Sequence, residues 1–356
     1  MPHTVILAGG GIGGHVYPAL AMGDALRARG HTVHYYGDAT RLEGRVAPDR
    51  GYRFRAVDAA QYPRAGLAAK FKFAFSLLGS VLQARRMLRE DHATLVLGVG
   101  GYVMAPTVLA AWTLGIPAAI HEANVSPGLA NRLCARVSRL LLLTFEETKL
   151  PGNAERVVVG CPVNPKVLDG DRAAACQRYG LDPARPILLV VGGSLGAATL
   201  NAVALAVARR GDAQMVHITG PRYHQDVLAS YGDVPRGVTL LPYEDRMADA
   251  LAAADLVVGR AGSSTLAELC ATGRPSVLIP SPNVTDNHQE GNARGLERAG
   301  AAEVVLESGF DADRVAAEIV ALLSDAPRLA EMGVRARGLA RPDVANRVGD
   351  LLEARF

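Results

Sequence analysis

The sequence is poor in aromatic residues (5%, with Trp112 the sole tryptophan), and its Lys and Arg residues are dispersed rather than clustered. With a net charge of only +3, that distribution argues against a nucleic-acid partner, which needs a basic stripe and stacking side chains. Cysteine is scarce and unpaired by spacing. Cys134, Cys161, Cys176 and Cys270 form no C-x-x-C, which predicts free buried thiols in a reducing cytosol. No secretory leader is visible, because the first apolar run, Val5–Ala8, is strand-length and lacks a basic flank and a cleavage site. No low-complexity tract is present. An uninterrupted membrane span is also missing: Leu95–Ile120 carries no charge, but Gly98, Gly100, Gly101, Pro106, Gly115 and Pro117 divide it into strand, loop, helix and strand.

What is present is globular. Hydrophobic residues make up 49% and charged residues 21% of 356, enough for two domains with separate cores. The same strand–glycine–helix construction occurs once in each half. Val5–Ala8 runs into Gly9-Gly10-Gly11-Ile12-Gly13-Gly14-His15, and Leu188–Val191 runs into Gly192-Gly193-Ser194-Leu195-Gly196-Ala197. A second pair follows: Leu95–Gly101 echoes Leu256–Gly262, each succeeded by an Ala-rich helix and a Gly-x-Pro step. Further apolar runs at 32–36, 118–120, 140–143, 215–218, 239–241 and 276–279 alternate with helical patterns. Continuous apolar strands between helices predict parallel sheets covered on both faces. The expected fold is therefore α/β, two Rossmann-like domains facing each other across a cleft. The boundaries fall at 1–160 and 161–342, with polar, turn-rich Cys161–Pro186 as the linker and a last helix, 343–356, returning to the first domain.

Each glycine loop admits two readings. Gly9, Gly11 and Gly14 with Asp38 fit a dinucleotide fingerprint, but a turn that brings phosphate or sugar to a helix start has the same form. His15, at the start of that helix, is either a structural histidine or a group that takes a proton near neutral pH. Glu122 is the alternative base. In the second half, Gly193-Ser194 suits phosphate oxygens at a helix start, and Ser263-Ser264-Thr265 opens another helix. Glu268 lies one turn on, where its carboxylate either accepts both ribose hydroxyls or closes a capping box. No metal-ligand spacing stands beside these loops, and Asp311-Ala312-Asp313 reads as an exposed turn, so no metal and no bound cofactor are expected. Leu67, Phe71, Phe75, Leu78 and Leu82 fall on one helical stripe with Lys70, Lys72, Arg85 and Arg86 around it. The stripe is either core-facing or a peripheral membrane surface.

Taken together, Gly10–Leu20, Gly100–Val103, His121–Asn124 with Pro127–Leu129, Gly192–Ser194, Arg260–Glu268 and Pro280–Ala293 (including Asp286-Asn287-His288-Gln289-Glu290) resemble the signature blocks of the MurG family of peptidoglycan glycosyltransferases. The resemblance spans nearly the whole chain in order. It implies the glycosyltransferase B fold, UDP-N-acetylglucosamine as donor and lipid I as acceptor. It also implies a peripheral position at the cytoplasmic face of the bacterial membrane, against anionic lipid. Ile12, Gly13 and Gly14 of the first glycine loop, and Asn164, count among the ligand-binding positions that the resemblance implies. Ser194 holds phosphate, and Ser263, Ser264 and Thr265 contact uracil and ribose, with Glu268 on the ribose hydroxyls and the backbone at Glu244 facing uracil. Asn124, His288 and Gln289 meet the sugar. Ile12 stands where the family usually has Thr, Ala123 and His288 where it has Gln, and Cys161 where it has Asn. Asn164 replaces an Arg that approaches the donor phosphates. The implied reaction is an inverting transfer of N-acetylglucosamine to the 4-hydroxyl of the acceptor's N-acetylmuramoyl unit. Rival readings are another glycosyltransferase of this fold, a UDP-N-acetylglucosamine 2-epimerase, or a nicotinamide-binding protein using Gly9, Gly11, Gly14 and Asp38.

Overall fold

The computed structural model describes residues 2–63, 66–211, 213–284, 287–341 and 343–356. Asp286, the Leu67 side chain and Pro342 lie outside the described residues. The chain divides into two units, Met1–Asn164 with Asp343–Phe356, and Pro165–Pro342.

In the first unit β1 (Thr4–Ala8), β2 (Thr32–Gly37), β3 (Arg53–Ala56), β4 (Leu95–Gly98), β5 (Ala118–Glu122), β6 (Leu140–Leu143) and β7 (Glu155–Val158) form a parallel sheet in the order β3-β2-β1-β4-β5-β6-β7. The helices are α1 (Gly13–Ala28), α2 (Leu42–Asp49), α3 (Leu67–Glu90), α4 (Met104–Thr113) and α5 (Leu129–Cys134). The central strands read as unbroken apolar runs because both sheet faces are covered. Ile6, Val96, Leu141 and Leu143 enter one core, while Val5, Leu7, Leu95, Leu97, Leu140 and Leu142 enter the other. The uncharged run 95–120 is β4, α4 and β5, and no described helix is long and apolar enough to cross a membrane.

The second unit carries β8 (Ile187–Val191), β9 (Gln214–Ile218), β10 (Val238–Leu241), β11 (Leu256–Gly259), β12 (Ser276–Leu278) and β13 (Ala302–Val304), all parallel, in the order β10-β9-β8-β11-β12-β13. Its helices are α6 (Arg172–Tyr179), α7 (Ala198–Arg210), α8 (His224–Tyr231), α9 (Met247–Ala253), α10 (Ser263–Thr272), α11 (His288–Arg298), α12 (Ala312–Leu323) and α13 (Ala326–Leu339). In each sheet the strand order reverses beside the first strand, β1 or β8. The glycine loops that follow those strands sit where such sheets bind ligands.

Three expectations need correction. The stretch 161–186 is not a linker: Pro165 onward belongs to the second unit. There Asp171 caps α6 by accepting from the Ala174 amide, and Arg172 pairs with Asp255 at 2.9 Å. Asp311 is the cap of α12, accepting from the Asp313 and Arg314 amides, rather than part of a free turn. The α3 stripe is not core-facing. Phe71, Phe75, Leu78 and Leu82 are 56–74% exposed, while Ser80, Ala84, Met87 and Leu88 of the same helix are buried.

The last helix, α14 (Val344–Arg355), packs against α1 and contributes Val344, Val348 and Leu352 to the first unit's core. Arg29 clamps it through Asp350 at 2.7 Å and Glu353 at 3.0 Å. All four cysteines are free and buried.

Candidate active site

In the first unit the backbone leaves β1 through three glycines with positive φ (Gly9 +148°, Gly10 +151°, Gly11 +94°) before Ile12 starts α1 in extended conformation. No side chain caps this helix, so its first amides point outward. His15 sits in the first turn, its amide donating to the Ile12 carbonyl at 3.0 Å. Its Nδ1 lies 3.3 Å from the Gly10 carbonyl oxygen. A carbonyl only accepts, so the proton of the neutral ring is on Nδ1 and the lone pair on Nε2. The loop after β4 closes against the ring: a Cβ on Gly100 would come within 3.0 Å of it. Gly13 is half-buried, and Ile12 is 58% exposed.

His121 and Glu122 at the end of β5 are almost completely buried. His121 Nε2 meets the Gly160 carbonyl at 2.9 Å, and burial pushes this ring down to about 4, so it stays neutral. Both oxygens of Glu122 are engaged. Oε1 accepts from the Asn124 amide at 2.9 Å, and Oε2 accepts from Asn131 Nδ2 at 2.5 Å. Burial outweighs these bonds and pushes Glu122 up to about 7. The geometry is that of an anchor for the 123–131 loop. At 2% exposure, Glu122 is almost closed to a ligand. Asn124 is held on this anchor by its amide and its Nδ2, and its carbonyl accepts from Thr148 at 3.0 Å. Asn131 carries no signal in the single sequence beyond a polar residue on a short helix.

Asp38 is committed elsewhere as well. One oxygen accepts from the Thr40 amide and hydroxyl (2.8 and 2.7 Å), and the other accepts from Tyr102 Oη at 2.7 Å. Both carboxylate oxygens of Asp38 thus already serve contacts within the protein, which counts against the dinucleotide reading.

In the second unit the loop after β8 holds Ser194 in an exposed turn closed by the Gly196 amide on the Gly193 carbonyl at 3.1 Å. Ser194 stands three residues ahead of Ala197, the cap of α7, so it belongs to a loop rather than to a helix start as expected. Gly196 takes φ +76° with the Thr219 carbonyl 2.1 Å from where its Cβ would be, so only glycine lets the loop lie on the end of β9. Asn164 is exposed and is the last residue of the first unit before the chain crosses over.

Helix α10 begins at Gly262, which offers no side-chain cap. Ser263 is buried, and the Ser264 hydroxyl is buried without a hydrogen-bond partner among the described residues. Since the cap is Gly262, Glu268 lies in the second turn and closes no capping box. No protein group pairs with its carboxylate among the described residues, and burial alone pushes it up to about 7. A half-buried carboxylate one turn from an unpartnered hydroxyl, on a helix whose first amides are uncapped, can accept from sugar hydroxyls and leave the amides to phosphate. Glu244 presents only its backbone: its side chain accepts from Tyr179 Oη at 2.8 Å and from the Arg246 amide at 2.7 Å, and pairs with Arg178. Helix α11 starts after Asn287, whose φ is +47°. There Gln289 Oε1 accepts from the Ser281 amide at 2.9 Å, fixing the side chain with its NH₂ as donor, and His288 is half-buried beside it. Sequence reading missed one tie: Glu307 accepts from Thr199 at 2.6 Å and pairs with Arg260 at 2.8 Å, joining the start of α7 to the end of β11. Nothing around Glu307 in the sequence marks it.

Residues 5–140 match the glycosyltransferase family 28 N-terminal domain and residues 187–348 its C-terminal domain. The chain is 43% identical, over 366 aligned positions, to a Clavibacter sepedonicus protein named UDP-N-acetylglucosamine--N-acetylmuramyl-(pentapeptide) pyrophosphoryl-undecaprenol N-acetylglucosamine transferase. The match covers 98% of this chain and 95% of that one. A Salinibacter ruber protein of the same name is 40% identical over 354 positions, with the same two shares. Among solved structures, Acinetobacter baumannii MurG superposes with a TM-score of 0.81 at 31% identity, covering 99% of this chain and all of that one. The kitacinnamycin glycotransferase, at TM-score 0.75 and 20% identity, shares the fold alone; it covers 99% of this chain and 98% of that one.

Proposed function

The chain belongs to glycosyltransferase family 28, and from that premise we propose that it moves N-acetylglucosamine from UDP-N-acetylglucosamine to the 4-hydroxyl of the N-acetylmuramoyl unit of lipid I. The observation that carries this reading is the full-length match to relatives named for that transfer. The second unit takes the donor. Glu268 accepts from the ribose hydroxyls, Ser263, Ser264 and Thr265 contact uracil and ribose, the backbone by Glu244 faces uracil, and Ser194 and the α10 amides take the diphosphate. The first unit takes the acceptor beside Gly13, Gly14 and His15. His15 Nε2 removes the hydroxyl proton as the oxygen attacks the anomeric carbon. The bond to the diphosphate breaks on the opposite side, UDP departs, and the new linkage is β. The deciding experiment measures transfer of radiolabel from UDP-N-acetylglucosamine to a short-chain lipid I analogue, with other acceptors alongside. Absence of lipid-linked product, with label on another acceptor, overturns the acceptor assignment.

Sugar selection in the second unit rests on Gln289 with His288. The Ser281 amide fixes the Gln289 carbonyl oxygen and leaves the NH₂ to read a hydroxyl. A buried polar group deprived of its partner rejects the wrong epimer more strongly than an apolar wall does. Gln289→Ala is therefore expected to lose preference for N-acetylglucosamine over N-acetylgalactosamine donors, and an unaltered ratio of kcat/KM for the two moves sugar recognition elsewhere.

The first unit meets the membrane through α3. Phe71, Phe75, Leu78 and Leu82 are exposed along one stripe, Trp112 on the neighbouring α4 is 59% exposed, and Lys70, Lys72, Arg85 and Arg86 lie beside them. Arg85 also ties the two helices through the Thr113 carbonyl. Apolar side chains ringed by cations suit an anionic lipid surface, here the cytoplasmic face of the cell membrane, bound peripherally. Sedimentation with anionic vesicles should be salt-sensitive and should weaken in a Phe75→Ser, Lys72→Glu double variant. Equal sedimentation of the two proteins counts against this surface.

A further inference from the structure

Glu43 is a fully buried carboxylate that the proposed reaction leaves unused. It stands in the first turn of α2, and two glycines make room for it. A Cβ on Gly10 would lie 2.1 Å from the carboxylate, and one on Gly37 would lie 2.6 Å from its Cγ. Oε2 accepts from the Gly11 amide at 2.9 Å and Oε1 from the Asp38 amide at 3.2 Å. The Gly11 N–H and the Gly10 carbonyl belong to one peptide group, and that carbonyl is the oxygen 3.3 Å from His15 Nδ1. Carboxylate, peptide group and imidazole thus stand in line.

We infer that Glu43 is a positioning residue for His15, acting through the Gly10–Gly11 peptide group, and the inference rests on His15 being the base. A carboxylate that accepts from a peptide N–H draws the amide's electron density toward its carbonyl oxygen. That makes the oxygen a stronger acceptor for His15 Nδ1–H. The consequences are a fixed tautomer with the lone pair on Nε2 and a ring held more basic than the helix start alone would leave it. The Gly10–Gly11 peptide group carries the effect of the Glu43 carboxylate across the loop to His15. Of the neighbouring ionisable groups, His121 of β5 acts on His15 and is neutral, while Tyr35 of β2 and Arg41 act on Glu43. Asp38 faces Glu43 through its amide, with its carboxylate turned to Thr40 and Tyr102.

The test combines imidazole ¹⁵N spectra with pH–rate profiles. In the wild type, His15, assigned by the signal lost in His15→Asn, should show the Nδ1–H tautomer. In Glu43→Gln the His15 titration and the acidic limb of kcat should move together to lower pH by about half a unit to one unit, three- to tenfold in proton affinity. UDP affinity should stay unchanged. Glu43→Asp, which keeps the charge, should leave the limb nearer its original position while lowering kcat. A residue that only shapes the loop would lower the melting temperature or raise KM and leave the limb in place. The inference is overturned by an Nε2–H tautomer in the wild type, which decides the matter even if Glu43→Gln fails to fold. An unmoved limb in a folded Glu43→Gln overturns it equally. Undiminished kcat in His15→Ala would instead overturn the base assignment, so the two failures are distinguishable.

Discussion

His15→Ala is expected to lower kcat by about two to four decades, the range of a lost general base. A sugar hydroxyl is a weak nucleophile at neutral pH, and inversion in one step requires its proton to leave as the new bond forms. The structure places one imidazole in the first turn of α1 with its Nδ1 3.3 Å from the Gly10 carbonyl oxygen, a contact that the Nδ1–H tautomer satisfies. The competing carboxylate, Glu122, is buried with both oxygens accepting from Asn124 and Asn131. His15 lies at the uncapped start of α1, where the helix dipole acts against a positive charge. UDP affinity should be nearly unchanged, since the residues proposed to hold the UDP moiety belong to the second unit. The acidic limb of the kcat profile should disappear with the imidazole. Retained kcat with lost donor binding would exclude the base role.

Glu268→Ala should weaken UDP binding by about 1–3 kcal/mol, the scale of a lost charged hydrogen bond. The pH dependence is the sharper signature. Burial pushes the Glu268 carboxyl up to about 7, so the unliganded protein carries it protonated below that pH and ionised above it. Ribose hydroxyls donate best to the ionised form, and binding therefore strengthens as pH rises through about 7. The sign for folding is opposite. The native state holds this proton to higher pH than the unfolded chain does, so stability falls as pH rises from the ordinary Glu range to about 7 and stays at the lower level above it. Affinity for UDP-N-acetylglucosamine, whose diphosphate is esterified at both ends, should rise across pH 6–8 in the wild type and stay flat in Glu268→Gln. Calorimetry showing parallel curves, or unchanged UDP affinity in the alanine variant, would take the ribose away from Glu268.

The parallel sheets were legible because a doubly covered strand must be apolar at every position, as in Leu140–Leu143 and Leu188–Val191. The glycine loops were legible for a related reason, since a backbone that turns sharply at a strand end needs residues without Cβ. Less readable was what the side chains do with leftover capacity. Whether Glu268 caps a helix or waits for a ligand depends on which residue starts α10, and Gly262 decides that. Whether Phe75 faces core or solvent depends on which side of α3 meets the sheet. The 161–186 segment misled because turn residues cluster at a cap, here Asp171, as readily as in a tether. Glu43, Asn131 and Glu307 were invisible. Each is a polar residue whose partners are far along the chain, or are backbone groups with no signature of their own.

Helix α14 bears on the order in which the protein assembles. Residues 343–356 are synthesised after the whole of 165–342, yet Val344, Val348 and Leu352 belong to the core of the first unit. The second unit is therefore an insertion within its host, and all of its strands have been made before the host's final helix exists. On the ribosome the inserted unit can finish folding first, while the earlier-made host waits with the face that receives Val348 uncovered. That waiting surface is where a chaperone or a neighbouring nascent chain would act. Truncation before Asp343 should uncover the face that receives Val344, Val348 and Leu352 and lower the melting temperature of the host.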